Sequence, residues 1–358
     1  MYTFPFSHSS SSIKIDLNPK TTKLLETIRD TIKTTKDDKS SLKIQTMHPD
    51  SESRVLLQQV VDNNRFIGST IKQFVLSNKY VYYYLLHPQV QLHLFLPHGT
   101  KTMPYLRYIS HIVRIIASLA NSSKQVHLTI VYTCENKYFT NKTLSPDTVN
   151  SGSCIVGKVI IIWRIEEILT ILIHELIHFY ALDFIPCNGG NHHHSYSLFN
   201  VKHDSINEAF TDAFALIVHI LLVCYYSPQL IFINELLAEI NFVLFQAAKI
   251  TLAYDVDISD KTSYAKLVQT TSAFSYFIVK ASLLCNLNKF CELILNMRES
   301  KEMCSYMPTF LSLIQESLSD VSFIHGILYF QNLIKQNAFF YLFSKIHCSY
   351  FSNYINLN

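Results

Sequence analysis

His174, Glu175 and His178 are the residues best able to do chemistry in this chain. They stand in His174-Glu175-Leu176-Ile177-His178, within an apolar run. On a helix, positions i and i+4 share one face, so the two imidazoles can converge on a single ion. Glu175 sits beside them, badly placed to bind that ion but well placed to hold a water. Neutral imidazoles supply two ligands, and an open coordination position takes water whose pKa the metal lowers towards 7. A carboxylate then accepts the proton and delivers it to a leaving amine. The expected cofactor is one Zn2+ per chain, and the expected catalytic residue is Glu175. The bland reading is a pair of solvated or core histidines. It is disfavoured because two histidines and a glutamate are costly to bury on an apolar helix without a role.

Such a site needs a third ligand. The pattern HExxHxxGxxH requires Gly at 181 and His at 184, where Ala181 and Phe184 stand. Asp183 lies one residue out of register for a short-spacer Asp ligand. His192, His193 and His194 form a cluster in a Gly/Asn loop, where histidines are more often solvated. The leading candidate is Glu208, in Ser205-Ile206-Asn207-Glu208-Ala209-Phe210-Thr211-Asp212. Glu208 and Asp212 are again i and i+4. Glu208 can complete a His-His-Glu set, and Asp212 can accept the second N–H of a ligating histidine. The rival explanation is a capping box, since Ser205-x-x-Glu208 fits that motif. A capping box leaves Asp212 unexplained.

The elements that must position these residues are legible in outline. Val90, Leu92, Leu94 and Leu96 alternate with Gln91, His93 and Phe95 and read as a strand. Residues 105–119 carry apolar groups at helical spacing. Val126, Leu128, Ile130 and Tyr132 alternate again, and 155–163 is a β-branched run. Residues 166–182 then read as the helix bearing the histidines. Helices follow near 205–226, 230–252 and 264–287, and in the last seventy residues. The expected organisation is a polar, partly flexible extension over 1–60 and a sheet lobe over 61–182 ending in the active-site helix. A loop insertion and helical lobe carrying the third ligand follow over 183–290, then a helical extension over 291–358. Within the first segment, Leu24, Leu25, Ile28 and Ile32 have the spacing of a short amphipathic helix.

Composition narrows the alternatives. With 49% apolar residues among 358, global disorder is not expected. A net charge of +3, without a dense Lys/Arg stripe, argues against a nucleic-acid partner. The apolar run 214–233 is interrupted by His219, Ser227, Pro228 and Gln229, so it reads as a buried core helix and no membrane span is expected. The N-terminus lacks the pattern of a signal peptide, which points to an intracellular protein. Its eight scattered cysteines are then expected to be free thiols. The partner implied is a peptide or protein substrate.

The set His174, Glu175 and His178 followed by Asn207, Glu208 and Asp212 resembles the gluzincin metallopeptidases, the thermolysin-like class with HExxH and then Asn-Glu-x-x-x-Asp. That resemblance implies zinc ligands His174, His178 and Glu208, with Glu175 as the catalytic carboxylate. It implies an α+β, zincin-like bilobal fold: a small mixed sheet lobe with the active-site helix, and a mainly helical C-terminal lobe. It also implies a residue that stabilises the oxyanion, for which Tyr276 is the first candidate and His203 and Tyr264 are rivals. One departure is clear. Twenty-nine residues lie between His178 and Glu208, against roughly twenty in the commonest members, which marks 183–203 as an insertion. Val149-Asn150-Ser151-Gly152 and Leu182-Asp183-Phe184 also resemble stretches of HExxH proteins from large DNA viruses, which implies host cytoplasm or virion. Two other readings stand beside the peptidase. One is an inactive zincin fold kept as a structural or interaction protein. The other is a deformylase-like amidase using Cys154, whose expected sequence context is absent.

Overall fold

A computed structural model describes residues 15–35, 43–47, 51–62, 64–77, 80–97, 103–133, 137, 143–164, 167–188, 199–300 and 302–336. In chain order the helices and strands are α1 (Pro19–Thr34), β1 (Lys43–Met47), α2 (Ser51–Asp62), α3 (Ser69–Ser77), β2 (Tyr80–His87), β3 (Val90–Pro97), α4 (Met103–Leu119), β4 (Val126–Val131), α5 (Pro146–Val149), β5 (Gly152–Ile155), β6 (Val159–Ile162) and α6 (Ile168–Phe179). Then come α7 (Ile206–Tyr226), α8 (Phe232–Ala253), a π-helix (Phe274–Val279), α9 (Lys280–Cys285), α10 (Leu287–Ser300), α11 (Met307–Ser317) and α12 (Val321–Gln336). The chain is mixed α+β and divides into two compact units. A sheet unit takes 30–137 and 145–182, and a helical unit takes the described parts of 1–29, 138–144 and 183–351.

The sheet unit is built on a six-stranded mixed sheet in the order β1-β2-β3-β4-β6-β5. β3, β4 and β6 run parallel, while β1, β2 and β5 pair antiparallel with their neighbours. The crossover from β3 to the parallel β4 is made by α4, because parallel neighbours need a long connection. Alternation in β3 and β4 fixes which residues face inward. Leu92, Leu128 and Ile160 stand in one cross-strand row, and Leu94, Ile130 and Ile162 in the next, all buried. A one-residue slip would turn these rows to the opposite face. On that opposite face Tyr82, Phe95, Val131 and Trp163 form a core with Val61, Ile67, Ile71 and Val75 of the α2–α3 region.

The run 155–163, expected as one strand, instead holds the end of β5, a turn and β6, the second half of a hairpin over 152–162. Gly157 has φ +63°, a conformation glycine adopts without a steric penalty, and it turns the chain from β5 into β6. Tyr80–His87 is a strand that the sequence did not announce, because its run of tyrosines and leucines hides the alternation. The helix read from Leu24, Leu25, Ile28 and Ile32 is α1, with all four side chains buried.

The helical unit is organised around α9, which touches α7, α8, α10, α11 and α12. α7 and α8 are each long and apolar enough to cross a membrane, and most of each is buried within the protein. The break between them falls at Ser227-Pro228, within the interruption read from the sequence.

The expectation of free thiols is corrected for two cysteines. Cys187 and Cys304 form a disulfide, while Cys154, Cys224, Cys285 and Cys291 are not disulfide-bonded. Each bonded cysteine lies on a 3-10 turn, Ile185–Asn188 and Met303–Tyr306. With a separation of 117 residues, no spacing motif could have announced the pair. Closing so long a loop restricts the unfolded chain, so Cys304→Ser is expected to destabilise the helical unit by about 2–4 kcal/mol. Urea unfolding of the oxidised protein and the variant checks this. Identical midpoints would contradict it.

Candidate metal centre

α6 places the two histidines and Glu175. All twelve of its residues are buried, and it packs on α4, β5 and β6. Ahead of it, Glu167 and Lys137 form a fully buried ion pair, which also puts an acidic group at the positive end of the helix dipole. Its C-terminus closes with Ala181 at φ +54° and Leu182 N–H donating to the Ile177 carbonyl at 2.9 Å. That is the six-residue closure usually made with glycine.

One turn apart, the imidazoles of His174 and His178 meet edge to face, with their Nε2 atoms 3.0 Å apart. Two nitrogens 2.0–2.1 Å from one tetrahedral ion would stand about 3.3 Å apart, so the pair is close to a two-ligand geometry. Glu175 lies against Gly152, the first residue of β5. A Cβ on Gly152 would come within 2.7 Å of Glu175 Oε1 and 2.7 Å of Ile171 Cγ2. Glycine is therefore required there to leave room for the carboxylate. Arg164, itself buried, donates to the Asn150 carbonyl at 2.6 Å and to that of Asp147, holding the turn that leads into β5.

Glu208 lies in the first turn of α7. Ser205 occupies the N-cap position but makes no side-chain capping bond, so the capping-box explanation of Glu208 loses its support. Glu208 Oε2 accepts instead from Tyr276 Oη at 2.9 Å. Tyr276 is carried by the π-helix, a rare conformation found often at functional sites. That element is anchored by Asp204, which accepts from Ser275 N–H at 3.2 Å and from Ser275 Oγ at 3.1 Å. Burial pushes the Asp204 carboxyl up to about 6, opposed by its bonds from Ser275 and reinforced by the nearby Glu208.

The ligand atoms of His174, His178 and Glu208 all lie within 4.8 Å of one another, the one such group of three or more among the described residues. Two neutral imidazoles and a carboxylate suit a divalent ion of borderline hardness. Cys154 is not part of the group. His192, His193 and His194 lie outside the described residues.

Other candidates are placed as follows. Tyr264 is fully buried in a ring cluster with Phe199 and Phe274, its hydroxyl donates to the Ile258 carbonyl at 3.2 Å, and burial raises its pKa. Its role is packing. His203 is exposed, at φ +57°. Asp212, expected behind a histidine, accepts from Lys280 Nζ at 2.7 Å, with both side chains almost fully buried. Lys280 was missed because an isolated lysine in the apolar run Phe277–Leu284 carries no motif.

Compared with protein-family models, curated proteins and solved structures, the chain matches none. The site therefore rests on its own residues.

The Asp212–Lys280 pair gives a direct test of how this region is held. Lys280→Met leaves a buried carboxylate without its lysine and is expected to cost about 3–5 kcal/mol. Asp212→Asn combined with Lys280→Met removes both charges and is expected to recover most of that loss. Urea denaturation of the two variants decides, and a double variant no better than the single would contradict the pairing.

Proposed function

We propose that this chain is a zinc-dependent peptidase of the gluzincin type, with His174, His178 and Glu208 holding the ion and Glu175 as general base. The observation that carries the reading is the convergence of the three ligand atoms on residues separated as HExxH and Asn-Glu-x-x-x-Asp. The same reading takes the sheet unit and the helical unit as the lobes of a zincin-like fold.

Zinc bound there would supply Lewis acidity, polarising a scissile carbonyl and bringing the pKa of a water near neutrality. The chain's own residues do the rest. Glu175 takes the proton of the attacking water and returns it to the leaving amine. Gly152 leaves the space in which that carboxylate stands. β5 lies at the end of the sheet order, so its outer edge offers backbone groups to an extended peptide laid beside Glu175. Tyr276 holds Glu208 through its hydroxyl, which supports a ligand-positioning role for it. An oxyanion role would require that hydroxyl to be shared with substrate.

Three substitutions separate these roles. Glu208→Ala is expected to lose stoichiometric zinc, as measured by metal analysis after desalting. Glu175→Gln is expected to retain zinc and to lose peptide hydrolysis by roughly a hundredfold or more. Tyr276→Phe is expected to weaken zinc binding by roughly tenfold. Unchanged zinc content in Glu208→Ala would sink the ligand assignment. Zinc loss in Glu175→Gln would remove that residue from the base role.

A further inference from the structure

Asp183 has no part in the chemistry above, yet its carboxylate is fully buried and donors meet both of its oxygens. Oδ1 accepts the Ile185 N–H at 3.2 Å. Oδ2 accepts from Asn207 Nδ2 at 3.2 Å and from Thr211 Oγ1 at 3.0 Å. Asn207 closes the arrangement by accepting the Phe184 N–H on its Oδ1 at 3.0 Å. Thr211 Oγ1 also reaches the Asn207 carbonyl at 3.1 Å. Asn207 and Thr211 are one turn apart on α7, and Glu208 is the residue next to Asn207. Asp183 is the fifth residue after His178 in the chain.

We infer that Asp183 is a positioning residue for the metal centre. By gripping Asn207 and Thr211, it fixes the rotation and height of the first turn of α7 against the segment 183–185. Glu208 then presents its carboxylate from a turn that cannot rotate or slide. The bonds are directional and buried, so losing one leaves a polar group unsatisfied in the interior. The role follows from polarity as well as from bulk. Both Asp183 oxygens accept, and Asn207 turns its amide donor towards Asp183 and its carbonyl oxygen towards Phe184. The 183–203 insertion thus begins with a device that holds the third ligand, which a longer spacer between the two motif halves requires.

The inference rests on the reading of Glu208 as a zinc ligand, and its test uses zinc affinity, measured by competition with a chromophoric chelator on the full chain. Asp183→Asn turns its amide donor towards either the Asn207 amide or the Ile185 N–H, whichever way it flips, and is expected to weaken zinc binding by roughly ten- to a hundredfold. The exchange Asp183→Asn with Asn207→Asp reverses the polarity of the pair and keeps its donors matched. It is expected to restore affinity to within about threefold of wild type, since a matched pair meets the same geometric demand. Wild-type affinity in Asp183→Asn, with or without a lower Tm, would mark Asp183 as merely structural and overturn the inference, leaving the zinc reading intact. Failure of the exchange to restore affinity, whether the variant is folded by circular dichroism or not, would also overturn it. A wild-type chain that takes up no zinc defeats the metal reading itself, and this inference with it.

Discussion

α6 is buried on every side, yet it carries two imidazoles and a carboxylate in its second half. Each of those groups costs free energy in an apolar setting unless something meets it. Much of the surrounding structure answers that demand. The histidines face each other at 3.0 Å, the distance at which two lone pairs can serve one cation. Gly152 yields the space that Glu175 fills. The sheet supplies the apolar walls, and the cross-strand rows of leucine and isoleucine fix their register. A helix of this composition without such partners would be a poor choice for a core.

Glu208 is held differently. It begins a long apolar helix and is held by its own bond from Tyr276 and through its neighbours on the helix. Tyr276 meets its carboxylate, and Asp204 anchors the π-helix that presents Tyr276. One turn further along α7, Asp212 is tied to Lys280, and Asp183 grips Asn207 and Thr211. In the helical unit, polar pairs thus set the rotation of α7 while apolar packing sets its depth. The disulfide between Cys187 and Cys304 fixes the turn just beyond Asp183, so this stretch of chain is braced covalently as well.

Residues whose signal is local were legible in the sequence. His174, Glu175 and His178 are one helical turn, and Glu208 and Asp212 another, so period and residue type were enough to single them out. β3, α4, β4, α6, α7 and α8 follow from alternation or helical spacing. What escaped depends on distant partners or on backbone geometry. Lys280 acquires meaning only beside Asp212, and Cys187 only beside Cys304. The β5–β6 hairpin turns on the positive φ of Gly157. β2 is hidden by a continuous aromatic run. Asp183 stands one residue out of register for a ligand role. Its partners on α7, Asn207 and Thr211, lie more than twenty residues away, so those two bonds had no local signature.

The central claim is that two histidines and one glutamate hold a single zinc ion. Zinc K-edge X-ray absorption on the full chain, loaded with one equivalent and desalted, tests it most directly. Nitrogen and oxygen neighbours at about 2.0–2.1 Å and the multiple-scattering pattern of two imidazoles are expected. Absence of zinc, sulfur at about 2.3 Å, or three imidazoles around the ion would contradict it.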